Sequence, residues 1–424
     1  MAQVRQQSPA AGWRKRNRWL VRILAVLAIF GPGLIAANAG NDAGGVLTYA
    51  NAGSEFGYRT LFLMVLITVA LVVVQEMCSR LGVYSGEGLG GLIREQFSVR
   101  STTAALVLLL VANAGLTVSE FAGVGASLEI LGVSKYISIP IAAVMVWGLT
   151  VLGTYSKAER LFLVLSLAFL AYPIAMVLGH PDWHQVAADL VWPHFVRSPA
   201  FLFLAVALIG TTITPYMQFY VASAVVDKGV RPADYKKERM DTVSGAIWSD
   251  LVSMFIIIAT AAAIGGSGML QTAQQAAAAL EPVVGPAAPQ LFAAGLLGAS
   301  LLAASVVPLS TSYAVADAVG APRSVSASFR QAPLFYGTFT FQILVGAVVA
   351  LAPGNLVALV INAQVLNGII TPVLLTFILI LANRRSVLGT AVNGPIFRVV
   401  ATVCVAVVGV LSFVVMIQTL AGVG

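Results

Sequence analysis

With 424 residues, 59% of them hydrophobic and 10% charged, at a mean hydropathy of +0.92, the chain is too apolar for a soluble globule, where charged residues approach a quarter of the total. It reads as a polytopic membrane protein, and its net charge of +7 does not describe a nucleic-acid binder, because the cations fall between apolar runs with no basic, aromatic-interleaved stripe. Two cysteines without CxxC spacing, Cys78 and Cys404, and three histidines exclude a disulfide framework and a zinc site.

Residues 1–22 form a basic segment, and the apolar run after it has no small-residue cleavage site, so no removable signal peptide is expected. Runs of about 20 residues, long enough to span, fall near 23–49, 59–78, 104–131, 136–153, 159–178, 200–226, 244–266, 289–319, 333–352, 355–382 and 396–420. The expectation is eleven helices in one all-α transmembrane domain, 23–424. With the N-terminus in the cytoplasm, all of the 24 lysines and arginines except Arg59, Lys135 and Arg197 lie inside. That bias supports the topology, since one missed helix would scramble every later loop. It also places the chain in a plasma membrane, of the bacterial inner-membrane type.

The first run contains GPGLIAANAGNDAGGVLTY, from Gly31 to Tyr49. An uninterrupted spanning helix avoids such a stretch, because exposed backbone and a bare carboxylate in hydrocarbon each cost several kcal/mol. The helix is expected to break here, beside Asn41 and Asp42. A break frees carbonyls at one half-helix end and amides at the other, and a carboxylate among free carbonyls is the makeup of a cation site. Asp42 is the first candidate ligand.

The loop GHPDWHQVAADLVWPHFVRSP holds all three histidines, His180, His184 and His194, and reads as an external amphipathic segment. The sixth run repeats the oddity of the first. In LIGTTITPYMQFY, Pro215 removes a backbone donor while Gly210 and three threonines offer alternative partners. Two interrupted helices, one opening each block of five, point to an inverted repeat, about 23–178 and 200–382, with helix 396–420 peripheral.

Other polar groups inside the runs are Glu120, which needs a cavity or partner, and Gln364 with Asn367, three apart on one face of the tenth helix. Ser310, Thr311 and Ser312 read as helix-contact residues. No nucleophile and base can be paired, so an enzyme is not expected.

The segments GPGLIAANAGNDAGG, QEMCSRLGVYSGEGLGGLIREQF, GTTITPYMQF and NRRSVLGTAVNG together resemble the NRAMP family of divalent-metal transporters over about Gly31 to Asn393. The resemblance implies a LeuT-type fold, alternating access and a metal site between the first and sixth helices. The family's Asp-Pro-Gly-Asn stands here as Asp42, Ala43, Gly44 and Gly45, so the acid is kept and the asparagine ligand is lost. Its Met-Pro-His stands as Thr214, Pro215 and Tyr216. The family's backbone ligands map to Ala39 and Thr211, and Glu120 keeps an acid linked to proton movement while its companion acid is Thr117. The pattern looks like the NRAMP-related branch that carries magnesium.

The implied ligand set is Asp42, the Thr214 hydroxyl, the Gln364 amide oxygen and the carbonyls of Ala39 and Thr211, with Asn41, Gly45, Glu120, Tyr216 and Asn367 around the site or along the ion's route. All of these donors are oxygen. A thioether favours softer transition metals, whereas Mg²⁺ takes oxygen ligands and keeps several waters. The expected activity is secondary transport or uniport of Mg²⁺, with Mn²⁺ also accepted, and without obligatory proton coupling. The alternatives are a proton-coupled Mn²⁺ or Fe²⁺ carrier and, from another class, a divalent cation channel. The expected partners are the cargo ion and the bilayer, with no cofactor and a monomeric state.

Overall fold

A computed structural model of the chain describes residues 41–152, 164–165, 167–193, 196, 198–322 and 329–421. Among them the regular structure is helical throughout. The helices that matter here are α1 (Ala43–Phe56), α2 (Leu61–Ser85), α3 (Leu89–Gln96), α4 (Val99–Ile130), α5 (Lys135–Val151), α6 (Ala171–Leu178), α7 (Trp183–Val191), α8 (Pro199–Thr212), α9 (Pro215–Asp227), α10 (Tyr235–Ile264), α11 (Ala288–Val319), α12 (Pro333–Ala350), α13 (Leu356–Asn383) and α14 (Pro395–Leu420). Against eleven expected spans, eight stretches of the described residues are long and apolar enough to cross a membrane, and Lys135–Val151 and Leu167–Leu178 are shorter apolar helices. The described end of the expected first span and the whole second span fall together in Ala43–Ser85, which bends at Gly57, where φ is 62°. The half-helix expected before residue 41 lies outside the described residues.

Local chemistry sets the helix ends. Ser98, Ser134, Ser198 and Asn355 cap α4, α5, α8 and α13 through side-chain oxygens, satisfying amides that have no partner within the helix. Proline begins α8, α9, α12 and α14, where its missing N–H costs nothing. The polar sequence DKGVRPADYKKERMD, 227–241, is only partly a loop, because α10 already begins at Tyr235.

Central to the packing is α4, which lies along α11, α12 and α13. The half-helix α1 packs on α10, α8 and α13, and α8 packs closely on α13. Small residues allow these approaches. A Cβ at Gly210 would lie 2.0 Å from the Gln364 carbonyl oxygen, and one at Gly123 would lie 2.3 Å from the Ala43 Cβ. As expected, α14 is peripheral. It buries only the stripe Ala401, Val405, Val408, Ser412 and Val415, and Ser412 donates to the Gly368 carbonyl at 2.8 Å. That carbonyl lacks its helical donor because residue 372, four positions on, is proline.

The second-helix motif QEMCSR closes one end of the bundle. Buried Glu76 of α2 receives the Tyr235 hydroxyl, Arg80 at 3.2 Å and Arg239 at 3.6 Å. Arg80 also donates to Asn393 and lies over the Phe397 ring. The motif therefore ties α2 to the start of α10 and to the segment before α14.

Candidate cation site

Asp42 sits in extended conformation as the N-cap of α1, and its Oδ1 accepts the Gly45 amide at 2.8 Å. One turn of α4 approaches closely across Gly123, so that Glu120 Oε2 accepts the next free amide, Ala43, at 3.2 Å. Two carboxylates thus converge on the N-terminus of one half-helix. The helix dipole and the amides that lack helical partners stabilise negative charge there, and among the described residues no basic side chain pairs with either acid. Asp42 is 3% exposed, Glu120 is fully buried, and Glu120 Oε1 has no hydrogen-bond partner.

The break in the sixth run falls where the sequence places it. The last helical bond of α8 is Ile213 N–H to the Ile209 carbonyl, Thr214 is extended, and α9 begins at Pro215. Two carbonyls lose their helical donors as a result. For Thr211 the reason is covalent, because the residue four positions on is Pro215. For Gly210 the gap is filled from α13, since Asn367 Nδ2 donates to its carbonyl at 2.6 Å. The hydroxyls of Thr211 and Thr214 are buried and unpartnered, and Thr214 does not use its side chain to cap α9.

From α13, Gln364 reaches the same place. Its Nε2 donates to Ser119 of α4 at 3.2 Å, leaving Oε1 without a partner. A Cβ on Gly44 would lie 1.9 Å from Gln364 Nε2 and 3.2 Å from Asp42 Oδ1, so the amide and the carboxylate flank one glycine. A buried oxygen without a donor is costly in a closed apolar protein. Here such oxygens recur on Glu120, Thr211, Thr214, Gln364 and Asn367.

Several expected residues are engaged otherwise. Ala39 lies outside the described residues, so its role as a carbonyl ligand has no structural account. Asn41 Oδ1 accepts from Ser253 of α10 at 3.2 Å, tying α1 to its neighbour. Tyr216 is buried against Leu116 and Val307, and its carbonyl accepts the Ser310 hydroxyl at 3.2 Å. Thr311 and Ser312 bond to the carbonyls one turn back, and Thr311 also accepts from Asn113 of α4, which fits the helix-contact reading. Thr117 donates to the Asn113 carbonyl at 2.7 Å. His180 and His184 are exposed near α7, His194 is outside the described residues, and among the described residues no three acids, histidines or cysteines gather around a point.

Sequence reasoning missed the roles of four residues. Ser119 fixes the Gln364 amide, and Gly44 makes room for it. The Tyr49 hydroxyl and Thr212 Oγ1, 2.9 Å apart, tie α1 to the end of α8. Only an intramembrane polar residue announces itself in a sequence, whereas these depend on contacts between distant helices.

An all-helical membrane bundle whose sixth run is broken, with a second half-helix starting at an aspartate and buried oxygens at both, defines a membrane transporter of the LeuT-type fold. Comparison with known proteins then makes the assignment specific. The chain belongs to the Nramp family, since the family model described as natural resistance-associated macrophage protein-like matches residues 33–418. It is 27% identical over 398 residues to the divalent metal cation transporter MntH of Aeromonas hydrophila, covering 90% of this chain and 93% of the relative. It is 28% identical over 427 residues to MntH of Ralstonia nicotianae, covering 94% and 92%. Among solved structures, the Eremococcus coleocola manganese transporter, in complex with an aromatic bis-isothiourea compound, superimposes with a TM-score of 0.69 at 18% identity, over 97% of this chain and 88% of that one. The nucleobase-cation-symport-1 family transporter Mhp1 gives 0.56 at 13% identity, over 91% of each chain.

Proposed function

We propose that this chain carries divalent metal ions into the cytoplasm by alternating access, with Asp42, the Thr214 hydroxyl, the Gln364 amide oxygen and the Thr211 carbonyl as ligands, and Ala39 as a further backbone ligand. The observation that carries the reading is the convergence of one capping aspartate with buried, donorless oxygens at the sixth-helix break. Such a set offers charge and oxygen but few anionic ligands, which suits an ion that keeps part of its water. The two curated relatives, named divalent metal cation transporters, support the same cargo class.

Within that class we infer that Mg²⁺ is accepted alongside Mn²⁺, because Thr214 places a hard hydroxyl where the resemblance implies a methionine. The second reading, a Mn²⁺ carrier of the ordinary family type, is favoured by the manganese transporter structure that matches this fold. Transport without obligatory proton coupling rests on Thr117, whose hydroxyl is spent on a backbone carbonyl, and on the absence of any histidine from the sixth run. The membrane potential supplies about 2.3 kcal/mol per charge per 100 mV, or roughly twice that for a divalent ion. The lysine and arginine distribution supports a cytoplasmic N-terminus in a bacterial inner membrane, and we take the transporter as a monomer.

Uptake into liposomes reconstituted with the protein, read in parallel by a Mg²⁺-sensitive and a Mn²⁺-sensitive dye, tests the assignment. Saturable influx of both ions with mutual competition is expected. Saturable Mn²⁺ influx untouched by excess Mg²⁺ selects the second reading, and large non-saturating currents would instead mark a channel.

A further inference from the structure

A cavity of about 200 Å³ leads away from the helix break between α9, α10 and α2. Its α10 wall is one helical face, Glu238, Asp241, Thr242, Gly245, Ser249 and Asp250, and its α9 wall is another, Met217, Tyr220, Ala224 and Lys228. At one end it is lined by Tyr49 and Thr212, the residue beside Thr211. At the other it reaches the charged 227–241 segment, through Lys228, Glu238 and Asp241. From Met217 to Lys228 the α9 face extends about 16 Å at 1.5 Å per residue. The cavity therefore runs from the Tyr49–Thr212 pair beside the break to the protein end that the charge bias assigns to the cytoplasm.

Asp250 stands at the inner end, about 13 Å along α10 from Asp241. It is 1% exposed, it lines the cavity, and its Oδ2 has no hydrogen-bond partner. The cavity's lysine, Lys228, pairs with Glu238 at 3.4 Å at the opposite end. A buried carboxylate in a membrane helix without a countercharge is costly, and such residues face ion routes. Hydroxyls of Tyr49, Thr212 and Ser249 line the same space. The volume holds several waters.

We propose that Asp250 is a second cation station, which receives the divalent ion with its hydration water as it leaves the helix-break site and passes it toward the acidic mouth at Glu238 and Asp241. One carboxylate with water-bearing space suits a Mg²⁺-like ion, which gives up its hydration shell reluctantly. The station neutralises Asp250 while occupied and lowers the cost of moving a double charge along a mostly apolar channel. It rests on the divalent-cation reading above.

The test compares wild type with Asp250→Asn and Asp250→Glu in proteoliposomes, together with Mn²⁺ binding to the purified full chain followed by electron paramagnetic resonance. Asparagine keeps the shape of the side chain and one acceptor oxygen while removing its charge, and Asp250→Glu restores the charge, so a role in shape alone leaves Asp250→Asn near wild type. Because exit is the step affected, Asp250→Asn is expected to lower the maximal Mn²⁺ uptake rate about tenfold, with Mn²⁺ affinity at the helix-break site within about twofold and uptake restored by Asp250→Glu. Two bound Mn²⁺ are expected in wild type, one tight and one weaker, with only the weaker kept in Asp42→Ala and only the tight one in Asp250→Asn. A wild-type maximal rate in a folded Asp250→Asn, or a single bound Mn²⁺ in wild type, overturns the station. Failure of the parent reading looks different, since wild type itself then moves no divalent ion.

Discussion

Replacing Gly44 by alanine is the most informative change at the site, because the structure separates its effect on the fold from its effect on the ion. The new Cβ would lie 1.9 Å from Gln364 Nε2 and 2.7 Å from Gln364 Cδ, whereas ordinary contact begins at 3.4 Å. The amide end must swing away by more than an ångström, and it is the free end of a flexible side chain. Alanine is a better helix former than glycine by about 1 kcal/mol, so the fold is expected to keep or slightly raise its stability. The swing breaks the Ser119 bond and withdraws one oxygen from the cation. An interaction with a charged partner is worth about 1.5–3 kcal/mol, which predicts a roughly ten- to hundredfold loss of apparent affinity. Gln364→Ala should cost about as much, and the double variant no more than either single one, since both remove the same ligand. Initial uptake rates against Mn²⁺ and Mg²⁺ concentration, with thermal unfolding in parallel, supply the readout. Wild-type affinity in Gly44→Ala, or losses that multiply in the double variant, would refute the placement of Gln364 at the ion.

Asp42→Ala is expected to abolish saturable uptake while losing only a helix cap, about 1 kcal/mol, so the purified variant should remain folded; wild-type-like uptake would remove Asp42 from the site. Thr214→Met adds a thioether beside the break and should shift the uptake ratio toward Mn²⁺ and Cd²⁺ over Mg²⁺. An unchanged ratio in an active variant would show that ligand softness does not set selectivity here. With a pH dye inside the liposomes, metal influx should proceed without matching acidification, and acidification that scales with uptake would establish coupling through Glu120 and Asp42.

The break in the sixth run and the start of α1 at Asp42 could be read directly from residues. Pro215 removes a hydrogen-bond donor wherever it falls, and an aspartate within a glycine-rich apolar run cannot be left in an uninterrupted spanning helix. The long apolar runs, the helical character of the chain and the peripheral stripe of α14 follow from similarly local causes. The sequence did not decide how the intramembrane polar groups are spent. Asn367 resembles Gln364 in composition, position and face, yet its amide nitrogen holds the Gly210 carbonyl at the helix break whereas that of Gln364 is held by Ser119 of α4. Asn41 stands next to Asp42, yet it is tied to Ser253, 212 residues away. Asp250 sits inside an apolar run as plainly as Glu120 does, but only the packing of both α9 and α10 on α2 shows that it faces a cavity. A polar side chain has the same donors and acceptors wherever it lies. Whether they remain available to an ion depends on partners brought close by helix packing, and local sequence pattern carries no record of those partners.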